Sequence, residues 1–277
     1  HLPLAADEGL YHPAGPEEPA DCRYLCEAAL ATHRASTDPL TYHITLSSHQ
    51  QLWQAILEQI YHDPAGYRRE GAAKILQQAQ RCGVKVTEED VRRMFVEIIQ
   101  KHLGQAVLCD AYGTALDREG IGLKIWGQGT RPGQPGGEMP PFWNESPVQY
   151  RVAGTIPGGG AERNRLYQAA KIHLYMDSTG YPDEHLLNGL AAGAFFLVKN
   201  HPQIREKDRI GWYFELEKEV VTFESPKDLV RKVRYFLSHE TERQKIARAA
   251  REKVLARHTY AIRARQILQA ITSNIKV

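Results

Sequence analysis

Cysteine is scarce: four occur in 277 residues, at positions 22, 26, 82 and 109. That is too few for the disulfide framework of a small secreted domain. Cys22 and Cys26 lie four apart with no second Cys/His pair at zinc spacing, so they read as reduced thiols in a cytosolic protein. A charge excess of one sign is also missing. Lys and Arg total 35 against 33 Asp and Glu, a formal +2 that makes no electrostatic case for nucleic acid. No run approaches eighteen apolar residues, so no membrane span is expected. Repeats and low-complexity tracts are absent from the sequence as well. What is present, 42% hydrophobic beside 25% charged residues, excludes a disordered chain, and the length allows one large or two modest domains. The first residue is His1, and the polar, proline-rich opening HLPLAADEGLYHPAGPEEPAD reads as residues 1–20 of linker in a fragment or trimmed product.

The usual phosphate and hydrolase signatures are lacking too. GQGTRPG (127–133) follows an apolar run, but its third glycine comes one place late for G-x-G-x-x-G and proline follows instead of a helix. This argues against a nicotinamide oxidoreductase. GTIPGGG (154–160) lacks the Gly-Lys-Ser/Thr of a P-loop, and neither H-E-x-x-H nor G-x-S-x-G occurs.

Periodicity supplies a fold class. DCRYLCEAALAT (21–32) reads as a first strand. Residues 44–104 then read as an all-helical insertion of three helices: one from Ser47 or Ser48 with Leu52, Ile56 and Ile60 on one face, one ending on Gly83, and one capped by Thr87 and closed by Gly104. Beyond 104, helices alternate with apolar strands at 121–127, 148–154, 171–177, 194–199 and 219–225. Ser225 and Pro226 open a further helix, and 241–275 closes the chain in one or two long helices. Such alternation predicts an α/β, Rossmann-like parallel sheet covered by helices on both faces, over 21–277.

Ligands of such sheets lie outside the carboxyl ends of the strands, near a reversal of strand order. The loops expected there are 127–147, 154–161 and 177–183. They nominate Gly127, Gly129, Gly154, Asp177, Ser178, Thr179 and Asp183 as substrate-binding residues. The helix after DSTGYPDE offers free N–H groups and a positive dipole end for a diphosphate. The plainer alternative is that Ser178, Thr179 and Asp183 only form a turn and a cap.

Two stretches carry a family resemblance. RLYQAAKIHLYMDSTGYPDEHLLNGLAAGAFFLVKNHP (165–202) and VVTFESPKDLVRKVRYFLSHETERQKIARAAREKVLARHTYAIRARQIL (220–268) resemble the C-terminal domain of CgeB-like glycosyltransferases, of the GT-B class with two Rossmann-like domains. IGLKIWGQG and the first thirteen residues resemble other parts of the same pattern; the match covers most of 105–270. The reduced thiols make the expected location cytoplasmic; the resemblance implies an enzyme whose C-terminal half, this chain, binds a nucleotide-diphosphate sugar as donor substrate. It implies no further cofactor and no metal, and leaves the acceptor unidentified. The acceptor site and commonly the catalytic base belong to an N-terminal domain, so this portion alone is expected to be inactive. It adds Lys171, His185 at a position where relatives often carry Arg, and Asn188 where many carry a ribose-binding Glu. Tyr167 reads as core, Gly193 as a close-packing glycine and His258-Thr259-Tyr260 as a structural dock for the last helix. The basic helix RQKIARAAREKVLARH reads as a solvated face. The alternative is a non-catalytic Rossmann-like interaction module, favoured by an amide at 188 and by the helical insertion.

Overall fold

The computed structural model describes residues 4–15, 18–32, 34, 36–62, 64–94, 104–127, 142–177 and 180–274. Six strands form one sheet: β1 (Cys26–Thr32), β2 (Leu123–Gly127), β3 (Val152–Thr155), β4 (Ala170–Tyr175), β5 (Phe196–Lys199) and β6 (Val221–Phe223). Their order is β3-β2-β1-β4-β5-β6. The β1–β4, β2–β3, β4–β5 and β5–β6 pairings are parallel. The chain thus builds outward one way from β1 and then reverses to build β4 to β6 on its other side, which is the doubly wound, Rossmann-like order. Every residue of β5 is buried, as expected of a parallel strand covered on both faces. Among the described residues no helix is long and apolar enough to cross a membrane.

The chain divides into two compact units, one of residues 1–30, 119–124 and 156–277, the other of 31–118 and 125–155. In the second unit, α1 (Ser47–His62), α2 (Pro64–Arg81), α3 (Glu88–Met94) and α4 (Gly104–Arg118) follow one another. Leu52, Trp53, Ile56 and Ile60 of α1 pack on Ile75 and Ala79 of α2 and Val107 of α4. Gly83, at φ 67°, ends α2, with Gly83 N–H to Gln80 O and Val84 N–H to Ala79 O closing the turn. Thr87 Oγ1 accepts from the Asp90 N–H at 3.1 Å while Asp90 Oδ2 accepts from the Thr87 N–H at 3.3 Å, a reciprocal cap on α3. Gly104 departs from expectation. It is the first residue of α4, and because Val107 joins the same apolar cluster, the helical part does not stop at 104.

A buried ion pair ties this unit together. Arg34, in the polar stretch just after β1, donates to Asp110 through Nε at 3.1 Å and Nη2 at 2.8 Å. Both side chains are at most 1% exposed. Asp110 also accepts from the Tyr61 hydroxyl at 2.8 Å and the Ser146 hydroxyl at 2.6 Å. Arg34 Nη1 donates to the Phe142 carbonyl at 2.6 Å, and Glu145 lies 3.4 Å from it.

The first unit holds α5 (Gly160–Ala169), α6 (Glu184–Ala191), α7 (Ile210–Tyr213), α8 (Pro226–Ser238), α9 (Glu240–Arg257) and α10 (Tyr260–Asn274). Ser225 caps α8 through the Asp228 N–H at 3.2 Å, with Pro226 at the first turn. The terminal segment is two helices, broken at His258-Thr259. There the Ala6 N–H donates to His258 O at 2.8 Å, and Tyr260 N–H donates to Ala6 O at 3.1 Å. Arg263 reinforces the break, donating to His258 Nδ1 at 3.1 Å and to Arg257 O at 3.1 Å. The His-Thr-Tyr motif therefore clamps the early segment, where Ala5, Ala6 and Tyr11 are buried, against the end of the chain. The short α7 carried no periodic signal in four residues.

The Gly-Leu-Ala-Ala-Gly stretch at the end of α6 (189–193) divides its glycines by task. Gly193, at φ 82°, is the left-handed residue that ends the helix: Gly193 N–H reaches Leu190 O and Ala194 N–H reaches Gly189 O, both at 3.0 Å. Close packing, expected of Gly193, belongs to Gly189. A Cβ there would stand 2.5 Å from two ring carbons of Phe196 and 3.1 Å from Tyr167. Both rings are buried, so Gly189→Ala forces one of them to move. We expect it to cost about 1–3 kcal/mol in denaturant unfolding; a loss under about 0.3 kcal/mol would show that the ring shifts freely.

Candidate functional site

β4 ends at Tyr175, beside the reversal of strand order, and Asp177 and residues 180–183 lead from it into α6. Asp177 Oδ1 accepts from the Gly180 N–H at 3.0 Å, and Gly180 takes φ 77°. A side chain at 180 would meet His201 at 3.1 Å. The Ile210 N–H donates to Gly180 O at 2.9 Å, and the Tyr175 hydroxyl donates to Tyr181 O at 2.8 Å. The loop is thus held from below by β4 and from the side by the segment after β5. Asp183 caps α6, its Oδ1 accepting from the Leu186 N–H at 2.9 Å. Crowding by protein raises the Asp183 carboxyl to about 6. The residue is nevertheless solvent-exposed, and contact with water limits that rise.

His185 points inward. Its ring lies among Tyr167, Tyr175 and Phe196. Nδ1 is 2.8 Å from the Tyr167 hydroxyl, which is also 3.1 Å from the His185 carbonyl. Tyr167 has one proton, so both contacts are satisfied together when it donates to the carbonyl and accepts from Nδ1–H. Nε2 then carries a lone pair, and it is buried without a partner. Burial holds the imidazole neutral, its pKa down at about 3, so at this position it offers no positive charge to a phosphate.

The other nominated residues are distributed as follows. Asn188 is buried, and its Oδ1 accepts from the Asp7 N–H at 3.2 Å. Lys171 is exposed at the start of β4, the opposite end of the strand from Asp177 and Asp183. Gly127 ends β2 and Gly154 lies in β3, at φ 149°. Gly129, Ser178 and Thr179 lie outside the described residues. Asp177, Asp183 and His185 are therefore the nominated residues gathered at the carboxyl end of β4. Reasoning from the sequence missed Arg209 and Tyr181. The Arg209 guanidinium stacks on the Tyr181 ring, 3.8 Å from its centroid, and Tyr181 is 47% exposed. In REKDR (205–209) acids alternate with the basic residues, so no run of one sign marks Arg209. Among the described residues, no three His, Cys, Asp or Glu side chains are grouped to hold a metal ion.

The family model described as glycosyl transferase-like matches residues 107–269, more than half of the chain. The chain belongs to the glycosyl transferase-like family. In this glycosyl transferase-like chain the matched segment runs from α4 to α10 and contains the whole β4–α6 loop. No curated protein matches it. Among solved structures, a sucrose-phosphate synthase from Thermosynechococcus elongatus superposes with TM-score 0.50 at 12% identity, over 99% of this chain and 52% of that one. A glycosyltransferase from Rickettsia africae superposes with TM-score 0.45 at 15% identity, over 61% of this chain and 44% of that one. An Anabaena protein in complex with UDP and glucose gives TM-score 0.42 at 10% identity, over 96% of this chain and 55% of that one. The first likeness is one of fold; the glycosyl transferase-like chain spans about half the length of these solved structures.

Proposed function

We propose that this chain is the donor-binding portion of a CgeB-like, GT-B glycosyltransferase and takes a nucleotide-diphosphate sugar at the carboxyl end of β4. The observation that carries the reading is that the family match spans the β4–α6 loop, on a sheet whose order reverses beside β4. The start of α6 supplies backbone N–H groups, but Asp183 and Glu184 place two carboxylates there. They offset the roughly half unit of positive charge at a helix start. A diphosphate therefore needs a further cation, and Arg209, beside the loop on Tyr181, is the residue we assign to it. Helix dipole and guanidinium together would stabilise the leaving diphosphate without a metal. The acceptor and the rest of the catalytic apparatus are assigned to a partner N-terminal Rossmann-like domain.

The test is thermal unfolding with UDP, GDP and ADP and their hexose derivatives at millimolar concentration. One of them should stabilise the fold, by about 2.7 kcal/mol at one hundred times its dissociation constant. Arg209→Ala should reduce that gain while leaving the unliganded midpoint in place. No shift with any of them counts against donor binding. It would favour the second reading, a non-catalytic module, for which the specific observation is that the Asn188 side-chain oxygen is already engaged by the Asp7 N–H.

A further inference from the structure

Lys171 and the basic face of α9 are left unused by the site above, and they converge on one cavity. It has a volume of about 500 Å³ and lies within the first unit, at the amino end of β4. The start of β4 and the turn of Ala192–Phe195 line it on one side, Pro13 and Ala14 on another, and α9 on a third. Helical spacing puts Gln244, Ala247, Arg248 and Arg251 on a single stripe of α9 facing it. Lys171, Arg243, Arg248 and Arg251 all line the cavity, and no carboxylate does.

Two of these cations are set in place by the backbone. Arg243 is buried, donates through Nη1 to Phe236 O at 2.6 Å and has Glu240 3.8 Å from Nη2. Arg251 Nε donates to Ala191 O at 3.1 Å, at the end of α6. Gly193 also lines the cavity. Lys171 and Arg248 are exposed and make no ion pair among the described residues. Glu240 partners Arg243; the other like charges repel one another, and an anion seated among them removes that repulsion. The volume lies within the range of small-molecule sites, roughly 300–1,000 Å³.

We propose that this cavity binds the phosphate group of a small phosphorylated molecule, at a site separate from the end of β4 assigned to the donor. The proposal does not depend on the donor reading. Free phosphorylated metabolites and phospholipid headgroups share this chemistry, so the experiment has two arms: calorimetric titration with inorganic pyrophosphate, and co-sedimentation with phosphatidylcholine vesicles with and without phosphatidic acid. Pyrophosphate should bind with a Kd of about 1 mM or tighter. In the Arg209→Ala chain, which lacks the cation assigned to the donor diphosphate, pyrophosphate should still bind, and adding Lys171→Ala/Arg248→Ala should weaken that binding at least about tenfold at an unchanged thermal midpoint. Lys171 and Arg248 are both exposed, so folding is not at risk. Phosphatidic-acid-dependent sedimentation lost in the same double variant would support the site with a headgroup as the source of the phosphate. Absence of both signals, or signals that the double variant leaves unchanged, would overturn the proposal.

Discussion

Asp110→Ala should lower the unfolding free energy by about 3–5 kcal/mol, the cost of leaving a buried charge without its partner. Arg34 cannot lose its proton in compensation, and its side chain is 0% exposed, so water does not replace the lost carboxylate. Tyr61 and Ser146 lose their acceptor in the same step. Glu145, 3.4 Å from Nη1, and the Phe142 carbonyl still hold one edge of the guanidinium, which places the expected loss toward the lower end of that range. Asp110→Asn keeps the shape and removes the charge, so it should cost less. Arg34→Met combined with Asp110→Ala should cost less than the sum of the two single changes, because the second change removes the stranded ion. Urea unfolding of the four chains closes this cycle. A loss below about 1 kcal/mol for Asp110→Ala would mean that the pair behaves as an exposed one.

Acid should unfold the protein early, through three histidines. His173 and His258 have pKa values pushed down to about 4 and His185 to about 3, each chiefly by burial. Like-charged neighbours add to the effect at His258, where Arg263 donates to the ring. Folded, the three stay neutral as the pH falls; unfolded, each takes up a proton near pH 6.5. The unfolded chain thus binds more protons between about pH 6.5 and pH 4, and stability is lost as the pH falls through that window. Three protons amount to a slope of about 4 kcal/mol per pH unit where all three differ. The loss reaches about 6 kcal/mol at pH 5, enough to unfold a protein at the low end of the typical range of about 5–15 kcal/mol and to leave a more stable one weakened. Asp183 acts in the opposite direction, its raised carboxyl favouring the folded state as it takes up a proton, but its exposure keeps that share small. Thermal unfolding between pH 7 and pH 5 should show a steeply falling midpoint. His173→Gln, which can still donate to the Tyr167 carbonyl as His173 Nε2 does at 3.0 Å, should flatten the slope by about a third. A midpoint that does not move over this range would mean that these rings protonate in place.

The elements legible in the sequence were those with a period or a cap. Ser225 and Pro226, the Thr87 cap and the apolar run of β5 each declare themselves locally, and each stands where it was expected. Boundaries resting on one glycine fared worse: Gly104 begins a helix because Val107, three residues on, has an apolar cluster to join. The Arg34–Asp110 pair was invisible because 76 residues separate two polar side chains whose burial only tertiary structure supplies. At the candidate site, glycine, aspartate and the helix start were readable as a loop at a strand end. His185 faces inward because α6 presents that side of its first turn to Tyr167 and Phe196. Arg209 was missed for the converse reason: it reaches the loop from the segment after β5 by a stacking contact that leaves no trace in residue spacing.

Hydrogen–deuterium exchange of the chain, alone and with the nucleotide sugar that stabilises it most, tests donor binding at the end of β4 most directly. Exchange is expected to slow at the amides of residues 180–187 and around Arg209, with the protection weakened in Arg209→Ala. Protection confined to other segments, or none at a concentration that raises the thermal midpoint, would contradict donor binding there.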